Sequence, residues 1–302
     1  MNDKKKLIPQ LGLIFTTLAW GATFVLVKEA LTDAEPFIFA FYRFFLAAII
    51  IIPFAWMRNK KIFLDFNYLE IKGGIVCGIL LYLGYSFQNY GLEITTPSKS
   101  AFITSMSILL VPFFVYFLKN KQINIHLWIS IFIACIGLYI LLNPSTALVA
   151  ENKYSYASMI PNLGDLFTFG CAVFFAIHII TQGDFVIEKI NITRFFFIQC
   201  ISVSLLSLLS ALILGEYKVN WTFDLVNAIL ITGIIATSLA IFIMAWAQKK
   251  LSPSETAIIF SMEPVFAALF SILLGVESFT FMQWLGAFIV VSAVTYHSIL
   301  SD

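Results

Sequence analysis

Glu263 lies inside an apolar run, nine residues beyond Ser254, where a carboxylate meets little water. So placed, it binds a cationic group, takes up and releases a coupling proton, or serves as scaffold. In the last role it accepts hydrogen bonds from neighbouring helices and supports the backbone beside Pro264, whose nitrogen has no hydrogen to donate. A second set of polar groups shares its face. Ser100, Thr104 and Ser107 recur at intervals of four and three, which puts three hydroxyls on one side of a helix. The segment 95–106 returns, altered, as 251–262, a shift of 156 residues that also carries Trp128 onto Trp284. That shift lays the hydroxyl face onto Thr256, Phe260 and Glu263.

Further stripes have the same spacing. Gly78, Tyr82, Tyr85 and Asn89 form an aromatic and amide face, while Thr16, Trp20 and Thr23 form another and Phe175, His178 and Gln182 a third. A cavity bounded by these faces is aromatic, amphipathic and mostly uncharged. The candidate substrate-binding residues are therefore Trp20, Thr23, Tyr82, Tyr85, Asn89, Thr104, Ser107, His178 and Glu263. Each stripe also fits ordinary helix packing, and His178 alone also fits a packed, hydrogen-bonded imidazole.

Other charges are expected nearer the ends of their helices. Arg43 reads as an outer-rim residue that pairs with Glu29, Glu35 or Glu277 or snorkels to headgroups, with attraction of an anionic solute group as the alternative. Lys28 reads as a rim residue, Asp165 as a cap at the start of its helix, and Glu277 as an external hydrogen-bonding or gating residue.

These groups must be positioned by helices in lipid. The 302 residues are 60% apolar and only 12% charged, with a mean hydropathy of +0.94, which a water-facing surface does not accommodate. Ten apolar stretches are long enough, or nearly so, to cross a bilayer: 7–30, 36–57, 71–90, 98–118, 125–142, 163–182, 195–214, 225–247, 256–274 and 281–300. The first is too long for a signal-peptide core and lacks a small-residue cleavage site, so it is expected to remain as a helix. With the N-terminus inside, 13 of the 18 basic residues fall in cytoplasmic segments, so both termini are expected in the cytoplasm of a cell whose cytoplasmic (inner) membrane holds the chain.

The repeat then divides the chain into 7–142 (spans 1 to 5), an external linker 143–162, and 163–300 (spans 6 to 10). Five is odd, so the second copy enters from the opposite face. The expected fold is an all-α membrane protein of ten transmembrane helices in two inverted five-helix repeats, with the solute path between them.

Several classes are excluded. Three scattered histidines, no HExxH, no phosphate-cradling glycine motif and no Cys/His ligand spacing argue against an enzyme, so no catalytic residue, metal or cofactor is expected. Cys77, Cys135, Cys171 and Cys200 stand singly in apolar runs and read as small buried residues. A net charge of +1 with scattered basic residues gives no nucleic-acid surface. The expected partners are a small-molecule substrate and the lipid bilayer, with a homodimer left open.

Trp20-Gly21-Ala22-Thr23-Phe24-Val25 with Lys28, Arg43-Phe44, the two Pro-Ser segments, Met262-Glu263-Pro264-Val265-Phe266, Gly275 with Glu277, and Trp284-Leu285-Gly286-Ala287 together resemble an EamA-type member of the drug/metabolite transporter superfamily. The resemblance covers nearly the whole chain and implies ten helices in two inverted repeats. One departure is that Ile108 stands where Pro264 falls in the second copy, with the proline later, at Pro112, which leaves an equivalent bend unsupported in the first half. The implied function is secondary transport of an amino acid, metabolite or drug-like solute by alternating access, with export slightly favoured. Import or exchange of a nucleotide-like or cofactor metabolite is the alternative. A channel is a third class, disfavoured because mid-membrane charge is scarce and the polar faces are mixed.

Overall fold

The computed structural model describes residues 3–60, 62–95, 97–120, 122, 124–141, 162–275 and 280–300. The first half contains α1 (Asp3–Asp33), α2 (Pro36–Arg58), α3 (Tyr68–Ile94), α4 (Pro97–Ser105), α5 (Ser107–Lys119) and α6 (Ile125–Leu141). The second contains α7 (Leu163–Val186), α8 (Ile192–Leu214), α9 (Phe223–Ile231), a π-helical segment (Thr232–Leu239), α10 (Ala240–Ala247), α11 (Pro253–Phe260), α12 (Glu263–Leu273) and α13 (Phe281–Leu300). Seven helical spans are long and apolar enough to cross a membrane, Ile125–Ile140 and Phe281–His297 are shorter apolar helices, and the broken pair α11–α12 supplies the tenth crossing. The fold is all-α, with ten spans in two inverted halves.

Local chemistry sets the ends. Asn67 with Glu70, Asn162 with Asp165, and Ser252 with Glu255 each close a capping box at the start of α3, α7 and α11. Pro36 and Pro253 occupy first-turn positions where a missing N–H costs nothing. Gly215 stops α8 in the left-handed conformation, φ 75°.

The halves exchange helices. α3 packs on α7 and α8, and its repeat mate α9–π–α10 packs on α1 and α2. α4 and α5 rest on α7 as α11 and α12 rest on α1, while α2 meets α8 and α6 meets α13. Lys6 near the start of α1 pairs with Glu255 at the start of α11 at 2.9 Å, while Asp165 at the start of α7 meets Thr95 beyond the end of α3 at 2.8 Å. The two halves therefore begin at opposite ends of the bundle, as inversion requires.

Two expectations need correction. The spans 98–118 and 256–274 are not continuous helices: each breaks, after Ser105 and after Phe260, at turns containing Met106 and Met262, positions 156 residues apart. The break is equivalent in both halves although only the second has a proline there. Met106 N donates to Ile103 O and Met262 N to Ile259 O, both at 3.1 Å, a tightened turn in each copy. Ser105 Oγ donates to Ala101 O and Ser261 Oγ to Ile258 O, so hydroxyls also bond to the helix carbonyls at the break. The eighth span carries the π-helical segment, whose wider turn no feature of the sequence signals.

Apolar packing brackets the middle of the bundle. One buried cluster includes Leu13, Val111, Ile179, Met244 and Phe260, and a second, further along α1, includes Phe24, Val27, Leu92 and Ala101. Among the described residues, all three ion pairs join one half to the other at the N-terminal end: Lys6–Glu255, Lys119–Asp184 and a two-point Glu70–Arg194 pair at 2.6 and 2.8 Å.

Candidate functional site

Two small cavities lie between these clusters. The first encloses about 400 Å³ of empty space lined by Trp20, Leu81, Tyr85, Thr104, Ser107, Phe175, His178, Ile179, Ile241, Met244, Phe260 and Glu263. The second, about 320 Å³, is lined by Trp20, Thr23, Phe24, Val27, Arg43, Tyr85, Gln88, Leu92, Phe175 and Glu263. Trp20, Tyr85, Phe175 and Glu263 form the wall they share. Beyond the first cavity, at the N-terminal end, a larger vestibule of about 850 Å³ includes His126, His297, Lys119, Asp184 and Glu255.

The helix breaks put polar groups at mid-bundle. Glu263 opens α12, where the helix dipole favours a carboxylate, and Gly21 lets α1 approach it closely. A Cβ on Gly21 would stand 2.8 Å from both Glu263 O and Ala267 N, so an alanine there pushes α1 away. Glu263 is 6% exposed, and its carboxylate has no hydrogen-bond partner among the described residues. The scaffold role considered for it thus lacks the bonds that define it. Ser107, at the start of α5, is also buried.

Aromatic groups complete the wall. Trp20 donates from Nε1 to Ala236 O at 2.7 Å, inside the π-helical segment, and meets Phe260 edge-on at 4.9 Å. Tyr85 lies edge-on between Phe44 and Phe175, at 5.0 and 5.2 Å. Thr23 Oγ1 donates to Trp20 O, and Thr104 Oγ1 lies 4.0 Å from Cys171 Sγ.

Trp20, Tyr85, Thr104, Ser107, His178 and Glu263 thus meet around one cavity and Thr23 around its neighbour. Tyr82 and Asn89 line neither cavity. Tyr82 Oη bonds Ser210 Oγ at 2.6 Å on α8, and Asn89 Nδ2 donates to Pro36 O at 3.3 Å on α2. The cavity face of α3 is Leu81, Tyr85, Gln88 and Leu92, rotated from the stripe the sequence singles out and sharing only Tyr85 with it. Gln88 is three residues from Tyr85, a helical spacing from which it was legible.

Arg43 is a correction. It is 3% exposed, has none of the expected rim carboxylates as a partner among the described residues, and faces the second cavity. Its Nε donates to Thr237 Oγ1 at 2.7 Å and Nη2 to Tyr85 Oη at 3.3 Å, with the guanidinium carbon 4.5 Å from the Tyr85 ring centroid. Lys28 donates to the carbonyls of Leu92, Glu93 and Thr95, capping the end of α3. Asp165 caps α7 as expected, and Glu277 lies outside the described residues.

Comparison with known proteins places this architecture. The family model described as the EamA-like transporter family matches residues 7–143 and again 162–298. The chain belongs to the EamA-like transporter family. It is 32% identical to an uncharacterized transporter of Archaeoglobus fulgidus over 96% of this chain and 85% of that one. An S-adenosylmethionine uptake transporter of Rickettsia felis is 30% identical over 48% of this chain and 49% of its own length. A solved crystal structure superposes with a TM-score of 0.77 over 98% of this chain and 99% of that chain, at 18% identity, a likeness of fold alone. As an EamA-like protein the chain is a multi-pass membrane transporter whose partners are a small-molecule solute and lipid.

Proposed function

We propose that this EamA-like protein is a secondary transporter that moves a small organic solute, an amino acid, metabolite or drug-like compound, across the cytoplasmic membrane by alternating access, with export slightly favoured. Both termini lie in the cytoplasm, and the two repeats span 7–142 and 163–300 on either side of an external linker. The solute site is the central cavity of Trp20, Tyr85, Thr104, Ser107, His178 and Glu263, with Thr23 beside it. The observation that carries this reading is Glu263: a buried carboxylate without a bonded partner among the described residues, on the wall between two cavities, at the junction of two exchanged halves. A charge left that way inside a membrane bundle is costly unless it serves a solute or a proton.

The first cavity leaves room for the centre of a water molecule over only about 20 Å³, so a solute enters after one end of the bundle opens. The ion pairs at the N-terminal end and the contacts of Asp165, Glu216 and Asp33 at the other supply the bonds that must break in turn. Uptake and efflux in proteoliposomes, with amino acids, nucleosides, nucleotide-like cofactors and hydrophobic cations, with and without a pH gradient, test the reading. Saturable flux with exchange supports it. Flux that never saturates identifies a channel.

The partial similarity to the S-adenosylmethionine uptake transporter favours import of a nucleotide-like or cofactor metabolite as the second reading. Net uptake down a solute gradient without countersubstrate, in vesicles of known orientation, separates it from export.

A further inference from the structure

Behind His178 a row of three side-chain amides runs away from the central cavity. Gln248 Nε2 donates to Ile179 O at 2.9 Å, and Gln182 Nε2 donates to Gln248 Oε1 at 2.9 Å. Gln199 Nε2 stands 3.2 Å from Gln182 Oε1 and 2.7 Å from His178 Nε2. All four side chains belong to residues no more than 2% exposed.

The two ends of an amide have the same shape, so only its partners fix which is oxygen. Here the backbone settles the whole row. Ile179 O accepts and never donates, so Gln248 must turn its NH2 toward it and its oxygen toward Gln182. Gln182 then turns its own oxygen toward Gln199. A reversed Gln199 would set oxygen against oxygen, so its NH2 faces both neighbours, one hydrogen for each. Its oxygen is left buried without a partner among the described residues; the reversed form would leave an NH2 unpartnered in the same place and add the clash. His178 Nε2 therefore accepts, and a neutral ring carries its hydrogen on Nδ1. The imidazole lines the cavity beside Ser107 and Glu263, and Nδ1 has no hydrogen-bond partner among the described residues.

We propose that the amide row Gln248–Gln182–Gln199 locks His178 in the Nδ1–H form, making the imidazole a fixed hydrogen-bond donor to an acceptor atom of the transported solute: a carbonyl, a carboxylate or a ring nitrogen. Gln199 is the positioning residue, since its NH2 selects the tautomer without lining the cavity. In this role His178 carries no proton across the membrane. The proposal rests on the reading of the central cavity as the solute site.

Nitrogen NMR of the full-length protein in lipid nanodiscs, labelled with 15N-histidine and with His178 assigned by its loss in His178→Asn, tests it at pH 7. The expected spectrum has a protonated Nδ1 and a bare Nε2, and Gln199→Leu converts it to a mixture of tautomers. A protonated Nε2, alone or with Nδ1, overturns the proposal. Transport then tests the donor, with the amino acids, nucleosides and nucleotide-like cofactors of the flux screen as probes. His178→Asn, whose NH2 reaches the Nδ1 position, is expected to raise KM about threefold, less than His178→Gln, which reaches the Nε2 position and raises it about tenfold. Equal weakening by both, in protein of equal folded yield, overturns it. Absence of flux for every probe in the wild type refutes the transport reading instead, and the spectrum still decides the tautomer.

Discussion

Trp20 Nε1 donates to Ala236 O at 2.7 Å, joining α1 of one half to the π-helical segment of the other across the central cavity. A wider helical turn re-aims carbonyls that an α-helix directs along its own axis, and such segments recur at functional sites. Thr16 Oγ1 uses the same surface, reaching Ala240 O at 3.2 Å. Trp20→Phe keeps most of the ring and removes the donor. The expected loss of stability is about 0.6–1.5 kcal/mol. Because the ring also lines both cavities, transport should fall by more than that loss explains; thermal unfolding and flux measured on one preparation check both.

Tyr85 and Tyr82 are separated by less than one helical turn, yet only Tyr85 faces the cavities. Tyr85→Ala is therefore expected to raise KM about tenfold or more, by analogy with the loss of a buried aromatic contact. Tyr82→Ala, which loses a bond to Ser210 and stacking on Phe37, should lower stability and leave KM within about twofold. Equal KM values for both variants would return α3 to the register read from sequence.

That register shows what was legible and what was not. Hydropathy and the 156-residue repeat fix the spans, their pairing into halves and the face carrying Thr104, Ser107 and Glu263, because each depends on periodicity along one helix. Rotation about the helix axis depends on partners. On α3, Gly78 faces α8 so closely that a Cβ would meet Ser202 Cβ at 2.6 Å, and this contact turns Tyr82 toward α8 and Gln88 toward the cavity. Arg43 was misread for the same reason: a charge one-third along its span looks like a rim group until Thr237 and Tyr85 are seen around it. Gln199 and Gln248 signal only as amides in or beside apolar runs, and their connection exists only in three dimensions.

Lys119–Asp184 closes the N-terminal end between the two halves, with both side chains partly exposed. Lys119→Ala should shift the population open at that end by no more than about fivefold, the range of a solvated ion pair. A single cysteine at Ser107, in a background lacking the native cysteines, should then react faster with a reagent applied from that side. The swapped pair Lys119→Asp with Asp184→Lys should restore the wild-type rate.

Orientation is tested separately. Single cysteines replacing Lys60 and Asn120 are expected to label only from the cytoplasm, and one replacing Lys218 only from outside, following the positive-inside bias. Labelling of positions 60 and 218 from the same side would contradict the proposed topology.

Saturable flux through Glu263→Gln protein bears most directly on the role of the central cavity. The substitution keeps size and removes the charge from a carboxylate that has no bonded partner among the described residues. With folded yield equal to wild type, the account predicts a fall in kcat/KM of about tenfold or more, or an altered response to an imposed pH gradient. An unchanged rate, affinity and pH-gradient response would remove Glu263 from the site and contradict the account.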